Sequence, residues 1–176
     1  MDISNISGAA KDSSPPKLAV VKSNRMDRSG ARRHCFVLIF QFPYHGLTAN
    51  DSESLAWLKT FYYEYLGDID TAPRPSGRDD EYIDRVIWGA LEKQAQLDGV
   101  ITNFLKGWEI DRLNRVDLAL LRLAIYEMLC EPDVPHGVAV NEAVELAKVY
   151  GADESPAFIN GVLGNVAREI KEAGRE

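Results

Sequence analysis

The chain has 176 residues, 45% of them hydrophobic, and a formal net charge of −7 at pH 7, which is typical of one globular domain. No apolar run approaches the 18 residues of a membrane-spanning helix, and two cysteines cannot form a disulfide framework. These numbers exclude a membrane protein and a disulfide-stabilised secreted protein, and they lead us to expect a cytoplasmic location.

The charge is unevenly distributed along the chain. Residues 1–33 carry seven basic and three acidic side chains, a net charge of +4, whereas the other 143 residues carry a net charge of −11. A basic end on an acidic body is typical of a local nucleic-acid contact beside a surface with another role, although basic tails also arise by chance.

The first residues differ in composition from the rest. Residues 1–28 contain no aromatic side chain and are rich in Ser, Gly, Asp, Lys and Pro. Such a segment cannot bury enough apolar surface to offset the entropy lost on ordering. We therefore predict a disordered basic extension over residues 1–28, a helical domain over residues 29–172 and a short tail over residues 173–176.

Apolar spacing predicts three helices in the first half of the domain. The first begins near Ala31 and ends before Pro43, because proline disfavours a helix in the residue before it. The second runs from about Ser52 to Leu66, after candidate capping residues. The third is a single long helix from Asp79 to about Lys106.

Three more helices are predicted in the second half. The segment Leu118–Leu129 is apolar nearly all round, which indicates a central helix. Val138–Tyr150 follows, with Gly151 as its C-terminal cap, and the last helix has Ser155 as N-cap and Pro156 at its first position. No segment alternates with period two, so the sequence predicts an all-α protein of six or seven helices.

No pattern in the sequence indicates catalysis, a metal or a cofactor. A glycine-rich phosphate loop is absent, and the three histidines lie far apart without ligand spacing around them. His34 and Cys35 are adjacent, and adjacent helical residues point about 100° apart, so they do not form a catalytic pair. We expect a surface histidine beside a core cysteine, in a protein that is not an enzyme.

Two charged residues in the apolar helix need an explanation. Arg122 requires a partner because an unpaired buried charge costs several kcal/mol, and Glu142 or Glu145 on the next helix could provide a structural clamp. Asp117 suits the positive end of the helix dipole, and it is equally compatible with a contact to a partner protein.

Three stretches, residues 111–129, 133–151 and 155–169, together resemble the NusB family of bacterial transcription antitermination factors. The motifs Asn141-Glu142-Ala143 and Phe158-Ile159-Asn160-Gly161 match the family at its relative spacing. The resemblance implies a bundle of about seven helices in two three-helix groups. The structural residues that it implies are Arg122, Asn141, Glu142, Asn160 and Gly161.

The resemblance also implies a function. NusB-like proteins pair with NusE, a small-subunit ribosomal protein, and the pair recognises single-stranded boxA RNA of nascent ribosomal RNA. This recognition supports an antitermination complex on RNA polymerase. The partners implied are therefore boxA RNA, NusE and the polymerase complex, without a membrane, and an acidic body suits a basic ribosomal protein.

The basic N-terminal motif of the family corresponds here to Ser29–Cys35. Arg32 is kept, Arg33 replaces an acidic residue, and Phe40 replaces a tyrosine. Single-stranded RNA is bound by neutralising its backbone and by stacking bases on aromatic rings. The expected RNA-binding residues are Arg28, Arg32, Arg33, Phe104 and Phe158, and the expected NusE-binding residues are Phe40 and Asp117.

Two alternatives belong to other functional classes. The NusB-like fold also forms the RNA-binding domain of some ribosomal RNA methyltransferases, which would require this chain to be a fragment. A homodimer with a masked RNA surface would instead be a storage or regulatory form, and the elution volume of the pure protein would distinguish monomer from dimer.

Overall fold

The computed structural model describes residues 27–45, 78–105, 107 and 109–173, together with seven helical residues between 53 and 64. Most of the predicted N-terminal extension (residues 1–26) and most of the predicted tail (residues 174–176) lie outside the described residues. Both ends of the predicted second helix also lie outside them.

Every regular element in the described part of the chain is helical, as the sequence predicted. The six α-helices with defined ends are α1 (Arg28–Gln41), α2 (Arg78–Glu92), α3 (Gln94–Phe104), α4 (Arg115–Cys130), α5 (His136–Tyr150) and α6 (Ser155–Ala173). The helical residues between 53 and 64 bring the number of helical segments to seven. None of the helices described is long and apolar enough to cross a membrane.

Two helices begin at side-chain caps that the sequence supplies locally. Asp27 precedes α1 and accepts a hydrogen bond from the backbone N–H of Gly30 at 2.7 Å. Asn114 precedes α4 and accepts one from Val116 at 2.9 Å. Each cap satisfies a backbone donor that a helix start leaves without an intrahelical partner.

The prediction of a single long helix from Asp79 to about Lys106 is wrong. The chain leaves helical geometry at Lys93, whose φ and ψ are −93° and 11°, and this residue separates α2 from α3. Helix α2 packs on α1 and α4, whereas α3 packs on α4 and α6. The two halves bury their apolar faces against different neighbours, so tertiary packing imposes a break that no proline or glycine marks.

Helix α4 is the centre of the molecule, as its apolar character predicted. It contacts all five other helices with defined ends. Leu120, Leu121 and Ile125 of this helix are completely buried. Helices α4, α5 and α6 pack on one another as a group of three, and α1 and α2 form a pair that also packs on α4.

Two glycines are required by close approach of other groups. A Cβ atom on Gly89 of α2 would overlap the ring and hydroxyl of Tyr126, which lies directly against it. Gly151 caps α5 as predicted, with its N–H bonded to the carbonyl of Ala147 at 2.8 Å. Its φ of −87° is accessible to any residue, but a Cβ there would lie 2.6 Å from the Cβ of Ser155.

The last helix begins one residue earlier than predicted. Ser155 already belongs to α6, and the carbonyl of Glu154 accepts the first helical hydrogen bond, from Phe158 at 3.1 Å. The Ser155 hydroxyl accepts a bond from the backbone N–H of Ala152 at 3.0 Å, so it stabilises the turn before the helix.

Candidate nucleic-acid interface

The start of α1 carries the three arginines predicted to bind RNA, and the structure places them in three different environments. Arg28 is on the surface, with 43% of its side chain exposed. Its guanidinium lies 4.0 Å from the centre of the Tyr82 ring, and one of its nitrogens lies 4.0 Å from Asp79. Stacking on an aromatic face holds a cation in place while leaving it open to solvent.

Arg32 lies in the interior, which corrects the expectation that it contacts RNA directly. Only 4% of it is exposed, and its Nε donates hydrogen bonds to both carboxylate oxygens of Glu127, at 2.8 and 3.1 Å. Burial opposes its charge, but Glu127 outweighs that effect and the pKa of Arg32 is raised. A buried guanidinium paired in this way is not available to a phosphate.

Two further contacts connect this pair to the surface. The hydroxyl of Tyr82 donates to Glu127 at 2.6 Å, and burial raises the pKa of Glu127 while the bonds from Tyr82 and Arg32 oppose that rise. On the other side, a nitrogen of Arg32 lies 3.8 Å from Glu142. Glu142 also accepts a hydrogen bond from Ser29 at 2.7 Å, so its contacts are with α1.

Arg33 is half-buried beside the end of α5. Its side chain lies near the hydroxyl of Tyr150. Burial raises the pKa of this hydroxyl, and the guanidinium of Arg33 partly opposes that rise. The Tyr150 ring packs 5.1 Å from that of Phe36. Arg33 is therefore a partly exposed cation on the same helix as Arg28, but with different neighbours.

His34 is buried, which corrects the prediction of a surface histidine. It is 3% exposed, and burial together with the charge of Arg33 lowers its pKa to about 4. Cys35 is completely buried, as predicted, and burial raises the pKa of its thiol. Both side chains lie in the interior, so they do not form a solvent-accessible nucleophilic pair.

The three aromatic candidates are half-buried and pack against the core. Phe40 lies near the end of α1, with its ring 6.1 Å from that of Phe36. Phe104 and Phe158 lie on α3 and α6, two helices that pack against each other. All three side chains are partly accessible, and base stacking requires an accessible ring face.

Asp117 connects the starts of α4 and α6. Asp117 is only 7% exposed. Its pKa is raised, mainly by burial and also by the charge of Glu154, while a hydrogen bond with Ser155 opposes the rise. It lies in the first turn of α4, where the helix dipole favours a carboxylate. The structure thus gives Asp117 the intramolecular position that the sequence offered as one of two interpretations.

Arg122 forms a clamp, but with a different partner from the one predicted. Its guanidinium makes two parallel bonds to Asp98 on α3, at 2.7 and 2.8 Å. Glu142 faces α1 instead, and Glu145 pairs with Lys148 at 2.6 Å on the surface of α5. Local sequence did not indicate this choice, because it does not show how α3 packs against α4.

The other three residues expected to be structural lie on the surface. Asn141, Asn160 and Gly161 are all exposed, and a Cβ on Gly161 would meet no atom within 4 Å. Neither burial nor lack of space explains the identity of these three residues, so their structural role stays a prediction.

The sequence profile of the NusB family matches residues 31–168, which includes every helix of this interface. The chain belongs to the NusB family. The transcription antitermination protein NusB of Agathobacter rectalis is 43% identical over 142 residues, covering 81% of this chain and all of that protein. The family match includes α1 from Ala31 onward, with Arg32 and Arg33, and begins after Arg28.

Solved structures of NusB have the same fold. NusB from T. maritima superposes with a TM-score of 0.67 at 31% identity, covering 82% of this chain and 93% of that one. A chain from a crystal structure of the antitermination factors NusB and NusE in complex with dsRNA superposes with a TM-score of 0.65 at 23% identity, covering 81% and 96%. The second likeness is one of fold alone.

Sequence reasoning missed two functional candidates in this NusB-family chain. Glu127 was one of only three residues that interrupt the apolar run of α4, and its charge was a signal that a partner must exist. Tyr82 carried no such signal, because an aromatic residue on an apolar stripe is indistinguishable from ordinary core.

Among the described residues, no three potential metal ligands form a cluster.

Proposed function

We propose that this chain is a transcription antitermination factor that binds single-stranded boxA RNA together with NusE and carries out no reaction on it. Membership of the NusB family supports the role in antitermination, which would be exercised in the cytoplasm on the RNA polymerase complex. The observation that carries the RNA-binding proposal is the start of α1, where the side chain of Arg28 is 43% exposed and stacked on Tyr82, and Arg33 is partly exposed.

The proposed mechanism uses charge for affinity and aromatic rings for base contacts. Arg28 and Arg33 would each neutralise one phosphate, while the partly exposed rings of Phe104 and Phe158 would stack on bases. Arg32 supports the helix from inside. The experiment is a fluorescence titration of labelled boxA RNA over a series of salt concentrations.

Two phosphate contacts on a single strand should give a slope of log K against log salt of about −1.4. Arg33→Ala should flatten it by about 0.7, because one contact is lost. Arg112→Ala is the control, since Arg112 is 74% exposed in a short 3-10 turn (Ile110–Arg112) and pairs with the exposed Glu109. An unchanged slope in Arg33→Ala would move the RNA site elsewhere, and cleavage of the RNA would overturn the non-enzymatic proposal.

The proposed NusE surface includes Phe40 and Asp117, on a protein whose net negative charge suits a basic partner. NusE should tighten binding to boxA RNA more than binding to a scrambled sequence. Phe40→Ala should weaken NusE binding in calorimetric titrations carried out well below the melting temperature. Unchanged affinity would remove Phe40 from the interface. Asp117 is a poor position for a variant because it also holds Ser155.

A further inference from the structure

We infer that Glu127 is a positioning residue for RNA binding, which holds the start of α1 in the geometry that presents its surface arginines. The inference rests on the proposed function, since it concerns the same RNA site. Glu127 is 1% exposed and cannot touch RNA itself. It nevertheless accepts hydrogen bonds from Tyr82 on α2 and Arg32 on α1, and so joins three helices at one carboxylate.

The first connection runs from Glu127 to Arg28 through Tyr82. The hydroxyl of Tyr82 is fixed by Glu127 at 2.6 Å, which sets the orientation of the phenol ring. The guanidinium of Arg28 stacks on that ring at 4.0 Å. A displacement of the ring would therefore move the exposed cation that we assign to a phosphate.

The second connection runs through Arg32 to the first turn of α1. Arg32 is held by Glu127 at 2.8 Å and lies 3.8 Å from Glu142, whose carboxylate accepts a bond from Ser29. The backbone next to Arg28 is thus fixed on one side, and its side chain on the other. Both connections end at Glu127.

The sign of the effect distinguishes positioning from simple electrostatics. Removing a negative charge makes the protein a better partner for RNA on charge alone. If Arg32 were itself a phosphate ligand, releasing it from Glu127 would also strengthen binding. Positioning predicts the opposite result, a weaker complex from a more positive protein.

The test is Glu127→Gln in the full chain, measured with boxA RNA over the salt series. Loss of one phosphate contact should weaken binding about fivefold at 0.1 M salt and flatten the slope by about 0.7. The matched control is Glu131→Gln on the same helix. Glu131 is also buried and accepts two hydrogen bonds from an arginine, Arg85. It takes no part in the two connections to Arg28 described above. Binding by Glu131→Gln should equal or exceed that of the unaltered protein.

A second variant controls for the possibility that Glu127→Gln fails to fold. In Arg32→Met with Glu127→Met the net charge is unchanged, and an apolar pair often replaces a buried ion pair without loss of stability. We expect a cooperative melt close to that of the unaltered protein, with RNA binding still weakened about fivefold. If this folded double variant binds RNA as tightly as the unaltered protein, or if Glu127→Gln binds equally or more tightly, the inference is overturned.

Failure of the proposed function has a different signature. An unaltered protein that does not bind RNA, or whose salt slope is insensitive to Arg33→Ala, would contradict the RNA site itself. Loss of binding in Arg33→Ala with full binding in both Glu127 variants would contradict only the positioning role.

Discussion

His34 shows how a single buried side chain couples the stability of this protein to pH. It is 3% exposed, and its pKa is lowered to about 4 from the ordinary 6.5 by burial and by the charge of Arg33. At pH 5 the unfolded chain binds a proton on this imidazole and the folded chain does not. The contribution of His34 to stability is therefore complete above pH 6.5 and is lost as the pH falls from 6.5 towards 4.

We expect the free energy of unfolding to fall by about 2 kcal/mol from this source between pH 7.5 and pH 5. Urea unfolding of the unaltered protein and of His34→Gln at both pH values isolates the effect, because every other titrating group is common to the two. The variant should lose less stability over this interval. Equal losses would mean that His34 is protonated in the folded protein.

At the scale of single residues, the sequence identifies candidate side chains but does not predict whether each one is buried or exposed. Arg28, Arg32 and Arg33 follow one another in a basic stretch, yet only Arg32 is buried. Its environment depends on Glu127, 95 residues further along the chain, and on the way that α1 is packed against α4. Local pattern carries no information about such a distant partner.

At the scale of helices, two glycines that look alike in sequence have opposite roles. Gly89 lies against Tyr126, so the added methyl group of alanine would overlap the ring. A Cβ on Gly99 of α3 would meet no atom within 4 Å. Sequence reasoning could assign both only the same helix-weakening effect.

We therefore expect Gly89→Ala to lower the free energy of unfolding by about 1–2 kcal/mol through overpacking. Gly99→Ala should raise it by about 0.5–1 kcal/mol, because alanine loses less backbone entropy in a helix. Urea unfolding curves of the two variants provide the comparison. Shifts in the same direction would show that α2 can move away from Tyr126 without loss.

Helix identity was predictable where an apolar stripe follows a start signal, as in α6 with Ser155 and Pro156. The boundary between α2 and α3 was not, because Lys93 is compatible with a helix and is excluded from one only by the packing of its neighbours. Local sequence also did not indicate Asp98 as the partner of Arg122.

At the scale of the whole molecule, the packed core is built from the described residues that begin at Asp27. The cap that Asp27 provides to Gly30 is the first contact of this core. A chain shortened to begin at Asp27 should therefore melt within a few degrees of the full chain, which is also what the composition of residues 1–26 predicts.

A chain that begins at Gly30 is the comparison. It lacks the cap, which should lower stability by about 1 kcal/mol and the melting temperature by about 4 °C. It also lacks the contacts of Arg28 and Ser29. A large fall in the melting temperature already on removal of residues 1–26 would contradict the prediction that the extension is dispensable.

The long sequence separations at the start of α1 have a consequence for the order of synthesis. Ser29 and Arg32 bond to residues that follow them by 113 and 95 positions. At about 5–20 residues per second, a ribosome needs roughly 5–20 s after Arg32 to reach Glu127. During that interval the nascent helix carries an arginine without its carboxylate. Helix α1, the first helix in the described part of the chain, is thus among the last to acquire its native contacts.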